Sequence, residues 1–284
     1  MKLGVITSLW AYAEQISVVD SLQRVSEIGL RHVDILGILH GDPLKLSHAE
    51  KTAIEARLQA LNLVAGSLIM LPPGNIASAV KEEISRCKAY VQAGIDFISS
   101  IGGWQVLING GKRSFALPHS ESWENSVCFL RDVADYAQEK GVTVTLEAEP
   151  YVYFLVNDLA TTLRMVTEVN HPNCQTVVDV GHMNLSRDAA QTLEAVKPWT
   201  VRVHLSENNG LLHANDILGS GSVDIAAYLQ ALYAMGFNSA CRQRGKDFVI
   251  VMELGVLGDP IPDPDDYARR SMEHILKIAP FLET

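Results

Sequence analysis

Paired cysteine spacing is missing from this 284-residue chain. Its four cysteines, Cys87, Cys128, Cys174 and Cys241, lie far apart and form no CxxC. That excludes a small disulfide-stapled scaffold and a cysteine-built zinc site, and the thiols read as reduced in a cytoplasmic protein. Basic residues are also in short supply: 23 Lys and Arg stand against 33 Asp and Glu, for a formal charge of -10. Broad nucleic-acid or anionic-membrane surfaces want clustered Lys and Arg, so neither kind of partner is expected. No apolar run is long enough to span a bilayer. MKLGVITSLW carries one Lys and no cleavage pattern, and reads as a first strand rather than a signal segment. The turn that follows it, TSLWAYA, lacks the glycines of a dinucleotide-binding loop. Internal repeats and low-complexity stretches are absent as well.

What is present is a regular alternation. Short apolar runs at 3–9, 32–36, 63–70, 104–109, 142–149, 175–180, 200–206 and 248–254 read as strands. Helical spacing fills the gaps. Ser17 caps a helix stopped by Gly29, and Ser47 caps one carrying Ile54, Leu58 and Leu61. Further helices are expected at 76–101, 122–140, 158–169, 189–196, 225–235 and 265–278. IDFISSIG, after Gly94, has a strand-like composition, but Gly102–Gly103 and WQVLIN favour a helix that stops before strand four. Eight β/α units in one chain of this length predict a single domain over 1–284, an α/β fold with a parallel sheet closed into a (β/α)8 TIM barrel. A doubly wound open sheet is the alternative. In a barrel the active site lies at the C-terminal ends of the strands.

Four of those strands end on a chemically useful residue. VTVTLE closes on Glu147, QTVVD on Asp179, TVRVH on His204 and FVIVME on Glu253. A buried strand rarely ends on a charge without a use for it. Two Glu, one Asp and one His make a hard, oxygen-rich set suited to a divalent cation. Side-chain alternation puts Thr143, Thr145 and Glu147 on one face of strand five, and Thr200, Arg202 and His204 on one face of strand seven. The polar faces are expected to point to the barrel axis and the apolar faces to the helices. Arg202 then lies below His204, where a structural ion pair is expected.

These residues and their surroundings, LEAEP, DVGH, HLSENN, HANDILGSGSVD and MELG, resemble the xylose isomerase-like TIM barrels, the sugar phosphate isomerase/epimerase superfamily. The likeness covers nearly the whole chain. It implies that Glu147, Asp179, His204 and Glu253 bind one divalent cation, Mn2+ first, with Mg2+, Co2+ or Zn2+ as alternatives. His182, three residues after Asp179, matches the family's substrate-side His. Two departures stand out. Ketohexose 3-epimerases of the superfamily carry a Glu six residues after the strand-five Glu and an Arg six residues after the strand-seven His. Here those positions are Tyr153 and Gly210. Abasic-site endonucleases add metal-binding His on strands three and four, which GSLIML and VLING do not supply.

The function this implies is metal-dependent isomerisation or epimerisation of a sugar or sugar derivative through an enediolate, with Glu147 and Glu253 as acid and base. A lyase of the inosose dehydratase type is the alternative. A nuclease-like hydrolase and a non-catalytic sugar-binding barrel rank lower. Candidates for substrate binding are His182, Glu207, His213, Lys112, Arg113 and Trp10. Glu207 could equally orient a ligand, and His213, with Asp216, lies in a loop able to close over the site. Glu149 is an alternative ligand if the strand register slips by two. Lys112 and Arg113 suit an anionic substituent, and Trp10 an apolar wall. A homodimer or tetramer is expected.

Overall fold

The computed structural model describes residues 1–242, 245–256 and 261–284. Its strands are β1 (Lys2–Ile6), β2 (His32–Leu36), β3 (Val64–Ile69), β4 (Gln105–Asn109), β5 (Thr143–Glu147), β6 (Cys174–Asp179), β7 (Thr200–Leu205) and β8 (Val249–Met252). All pair in parallel with their sequence neighbours, and β8 pairs with β1 to close an eight-stranded barrel. The helices are α1 (Ser8–Ala13), α2 (Val18–Glu27), α3 (His48–Ala60), α4 (Lys81–Ser100), α5 (His119–Glu139), α6 (Leu159–Val169), α7 (Val180–Ser186), α8 (Leu193–Val196), α9 (Ile225–Ala234), α10 (Asn238–Arg242) and α11 (Pro264–Ile278).

Local chemistry accounts for several of these boundaries. Ser17 accepts from the Asp20 N–H and caps α2. Ser47 and Glu50 form a reciprocal capping box at the start of α3, a device worth about 1 kcal/mol. Several boundaries differ from the sequence expectation, and α10 has no counterpart in it; three differences stand out. β1 ends at Ile6, and Trp10 and Tyr12 lie on α1 rather than in a loop. The long helix begins at Lys81, not near residue 76. A short helix, α7, follows Asp179 directly, because the Asp179 carboxylate accepts the His182 backbone N–H and so caps it.

Strand alternation sorts the side chains as expected on β5 and β7. Val144, Leu146, Val201, Val203 and Leu205 join the large apolar core, together with helix residues such as Leu130, Val133 and Leu193. The barrel axis is more mixed than the sequence suggests, since Ile6, Val249 and Val251 form a small apolar cluster of their own. Beside it lies the expected ion pair. Arg202 is 1% exposed, places Nη1 3.0 Å from Asp34 Oδ1 and donates Nε to Gln105 Oε1 at 3.0 Å. Gly66 makes room for it: a Cβ there would lie 2.1 Å from an Arg202 guanidinium nitrogen. The buried cation and anion compensate each other, as charges removed from water must.

Candidate metal centre

Consecutive strands bring the four strand-end residues together. Glu147 ends β5, and Asp179 ends β6 opposite His204 on β7 in the parallel ladder. Glu253 follows β8 at once, and its backbone N–H donates to the Leu205 carbonyl at 2.9 Å. One ligand atom from each of Glu147, Asp179, His204 and Glu253 lies within 4.8 Å of all the others. Nδ1 of His204 is 2.8 Å from Glu147 Oε1 and 3.0 Å from Glu253 Oε2. A single ring nitrogen cannot satisfy both carboxylates.

The hydrogen bonding around the group is incomplete in a particular way. Asp179 Oδ1 accepts the His182 N–H at 2.8 Å and the Ser206 hydroxyl at 2.7 Å. Oδ2 of the same carboxylate has no hydrogen-bond partner among the described residues, and neither do Glu147 Oε1, Glu253 Oε2 or His204 Nδ1. These are the buried atoms that converge. Leaving a buried polar atom unpaired costs about 1–3 kcal/mol, and more for a charged group. Three carboxylates around one point, those of Glu147 and Asp179 buried and that of Glu253 partly so, also carry charge that Arg202, already paired with Asp34, does not neutralise. Burial pushes the Glu147 carboxyl up from its usual range, while His204 pulls it down. A divalent cation resolves all of this at once, and the donors, three carboxylates and one imidazole, suit one. Below the group, Nε2 of His204 lies 3.8 Å from Asp34 Oδ2, an ionic contact longer than a hydrogen bond, and neither atom has a hydrogen-bond partner among the described residues.

Gly181 and Ser206 show why the chain has this local sequence. A Cβ on Gly181 would lie 2.1 Å from Ser206 Oγ and 2.7 Å from the Ser206 carbonyl oxygen. Only glycine lets α7 begin this close to the end of β7, where Ser206 reaches Asp179.

The remaining sequence candidates divide. His182 is 4% exposed, with Nδ1 2.7 Å from the Ala148 carbonyl oxygen and Nε2 without a partner among the described residues. Its ring meets that of His213 edge-on at 4.5 Å between centroids, and His213 Nε2 is likewise buried and unpartnered. These two bring open polar atoms to one place. Glu207 goes elsewhere. It is fully buried, and its oxygens accept the backbone N–H groups of Asn208, Gly219 and Val223, each at 3.0 Å. That carboxylate holds the loop after β7 rather than a substrate. Trp10 is also fully buried and donates Nε1 to Asp265 Oδ1 at 2.8 Å, so it packs α1 against α11 instead of walling a cavity. Lys112 and Arg113 are exposed on a strip that zips to the loop after β5, where the Arg113 N–H donates to the Tyr153 carbonyl at 2.8 Å. The Lys112 ammonium lies 5.3 Å from the Phe154 ring centroid. Glu149 is outside the four-residue group, and burial pushes its carboxyl up to about 7. Asp216 donates its backbone N–H to the Glu207 carbonyl in the same loop.

Sequence reasoning missed three residues. Ser206 shares strand parity with His204, a signal that could have found it. Tyr12 stands close enough to Glu253 that burial first, and then that charge, push its hydroxyl up to about 12. Asn215 donates to Glu253 from the β7 loop; it lies in the HANDILGSGSVD stretch, but nothing there singles out its partner.

A family model described as xylose isomerase-like TIM barrel matches residues 22–278. The chain belongs to that family. Among its relatives, an L-ribulose 3-epimerase of Mesorhizobium japonicum is 26% identical over 243 residues, covering 83% of this chain and 78% of the relative. A ketose 3-epimerase of Arthrobacter globiformis is 23% identical over 84% of this chain and 81% of its own. The fold superposes on D-psicose 3-epimerase from Clostridium cellulolyticum H10, solved with D-tagatose, with a TM-score of 0.82 at 19% identity, covering 98% of this chain and 99% of the other. Within this family's barrel, the four converging residues of the present chain offer a site for one divalent cation. Among the described residues no helix is long and apolar enough to cross a membrane.

Proposed function

We propose that this chain is a divalent-metal-dependent epimerase of a ketose or ketose derivative. The observation that carries the reading is the meeting of Glu147 and Glu253 on His204 Nδ1, with Asp179 completing the set. The epimerase relatives support it and favour epimerisation over the dehydration that the sequence leaves open.

Glu147, Asp179, His204 and Glu253 would hold the cation. When bound there, it would polarise the substrate carbonyl and offset the negative charge that develops as the neighbouring proton leaves. Glu147 and Glu253 come from the two ends of the β5–β8 arc, and so approach a substrate from different sides. One removes a proton from the carbon beside the carbonyl, and the other returns a proton to the opposite face, which inverts the centre. His182 and His213 hold substrate hydroxyls with their open Nε2 atoms. Lys112 and Arg113, exposed at the rim, are available to an anionic substituent. Mn2+ is the first choice of cation, with Mg2+, Co2+ and Zn2+ as alternatives. The working state is a cytoplasmic homodimer or tetramer without nucleic-acid or membrane partners; the acidic charge balance supports only the absence of those two partners.

Tyr153 and Gly210 place no carboxylate or guanidinium at the two positions where they stand. The test therefore spans free ketoses and larger derivatives. Metal-stripped protein, with and without added Mn2+, is incubated in deuterium oxide with L-ribulose, D-psicose, D-tagatose, D-fructose and their phosphates and glycosides. A deuterated epimer that forms only with metal supports the proposal. An unsaturated or deoxy product, or no exchange from any of them at saturating Mn2+, refutes it.

A further inference from the structure

Asn215 adopts a left-handed backbone, φ +50°, in the loop between β7 and α9. Few side chains tolerate that conformation, and Asn is one of them. Its carbonyl accepts the Gly255 N–H at 2.9 Å and the Tyr267 hydroxyl at 3.1 Å, which ties the loop to the segment after β8. Its side chain is 3% exposed and donates Nδ2 to Glu253 Oε1 at 3.2 Å and to the Gly255 carbonyl at 3.4 Å. The amide cannot be turned over, because Oδ1 would then face a carboxylate oxygen and a carbonyl oxygen. As it stands, Oδ1 is buried without a partner among the described residues.

The division of labour on Glu253 follows. Oε1 is taken by Asn215, and Oε2 is the unpartnered atom 3.0 Å from His204 Nδ1. We infer that Asn215 is the positioning residue for Glu253: its amide fixes the carboxylate so that Oε2 is presented to the cation. The inference rests on the proposed metal site. The outer partners of ligating groups are worth about 10–100-fold in metal affinity or activity. Asn215 lies inside the HANDILGSGSVD stretch, beside Asp216, but its spacing does not tie it to Glu253.

The test uses Asn215→Gly, which keeps the left-handed backbone and the carbonyl contacts while removing the amide. Mn2+ binding to metal-stripped protein is measured by calorimetry, with the melting temperature of the metal-stripped protein alongside. The expected result is about 10–100-fold weaker Mn2+ binding with a near-unchanged melting temperature. In a Glu253→Gln background, removing Asn215 should add less than about 3-fold, because residues acting as one unit are not additive. Asn215→Ser, with a side chain too short to reach Glu253, is read the same way where the glycine variant folds poorly. Unchanged Mn2+ affinity in a variant, or a full additional loss in the Glu253→Gln background, would overturn the role of Asn215. A wild-type chain that binds no Mn2+ would instead bring down the metal site itself.

Discussion

The Ser206 hydroxyl donates to Asp179 Oδ1 at 2.7 Å, and with the His182 N–H it saturates that oxygen while leaving Oδ2 open. The pair works because α7 starts at the edge of β7, and Gly181 is what allows the approach. Ser206→Ala should weaken Mn2+ binding by about 10-fold at little cost in stability, as read by calorimetry and thermal melting. Gly181→Ala drives a methyl into Ser206 and should cost about 1–3 kcal/mol or more while also weakening Mn2+ binding. Wild-type affinity in both variants would show that Asp179 does not need this support.

Glu147 and Glu253 differ from Asp179 in the roles proposed for them. Gln at either Glu position keeps an oxygen but removes the base, so activity should fall by at least about 10²–10⁴-fold even at high Mn2+. Asp179→Asn should lose mainly affinity and be rescued better by excess metal. One Glu variant should still exchange the substrate proton with solvent without completing inversion, which identifies the face each Glu serves. Full activity of both Gln variants at saturating Mn2+ would leave neither a proton to move.

Deep in the barrel, Arg202→Met leaves Asp34 buried without its cation. Removing one partner of a buried pair typically costs about 3–5 kcal/mol. Chemical denaturation should show a loss of that size. A loss below about 1 kcal/mol would mean that water reaches the pair.

The thiols offer a test of the outer shell. Burial pushes Cys174 up to about 12 and Cys87 up to about 11, so both stay protonated and unreactive at neutral pH. Cys241 is buried as well, and Cys128 is exposed. Native protein should therefore show one fast-reacting thiol with a disulfide reagent, and four after unfolding. Rapid reaction of a second thiol would contradict the packing of α4, β6 or α10, which carry Cys87, Cys174 and Cys241.

Particular residues show how far the sequence could be read. The β2 boundaries, the Ser17 and Ser47 caps and the four strand-end residues follow from period-two alternation and capping chemistry, which are local signals. α1 was hidden because SLWAYA continues the apolar run of β1, and six apolar or small residues have no decisive period. α7 was hidden because its cap, Asp179, also ends a strand. Glu207 and Trp10 have residue types suited to a site, and only the fold reveals partners that occupy them, the backbone of the β7 loop and Asp265. Asn215 reaches Glu253 across 38 positions of sequence, a contact that no local pattern encodes.

The most direct test of the four-residue metal site is a crystal structure of the chain soaked in Mn2+, with the ion located by its anomalous scattering. One ion per chain is expected at about 2.0–2.6 Å from an oxygen of each of Glu147, Asp179 and Glu253 and from Nδ1 of His204. An ion elsewhere, or one that leaves any of these four uncoordinated while the site is fully occupied, would contradict it.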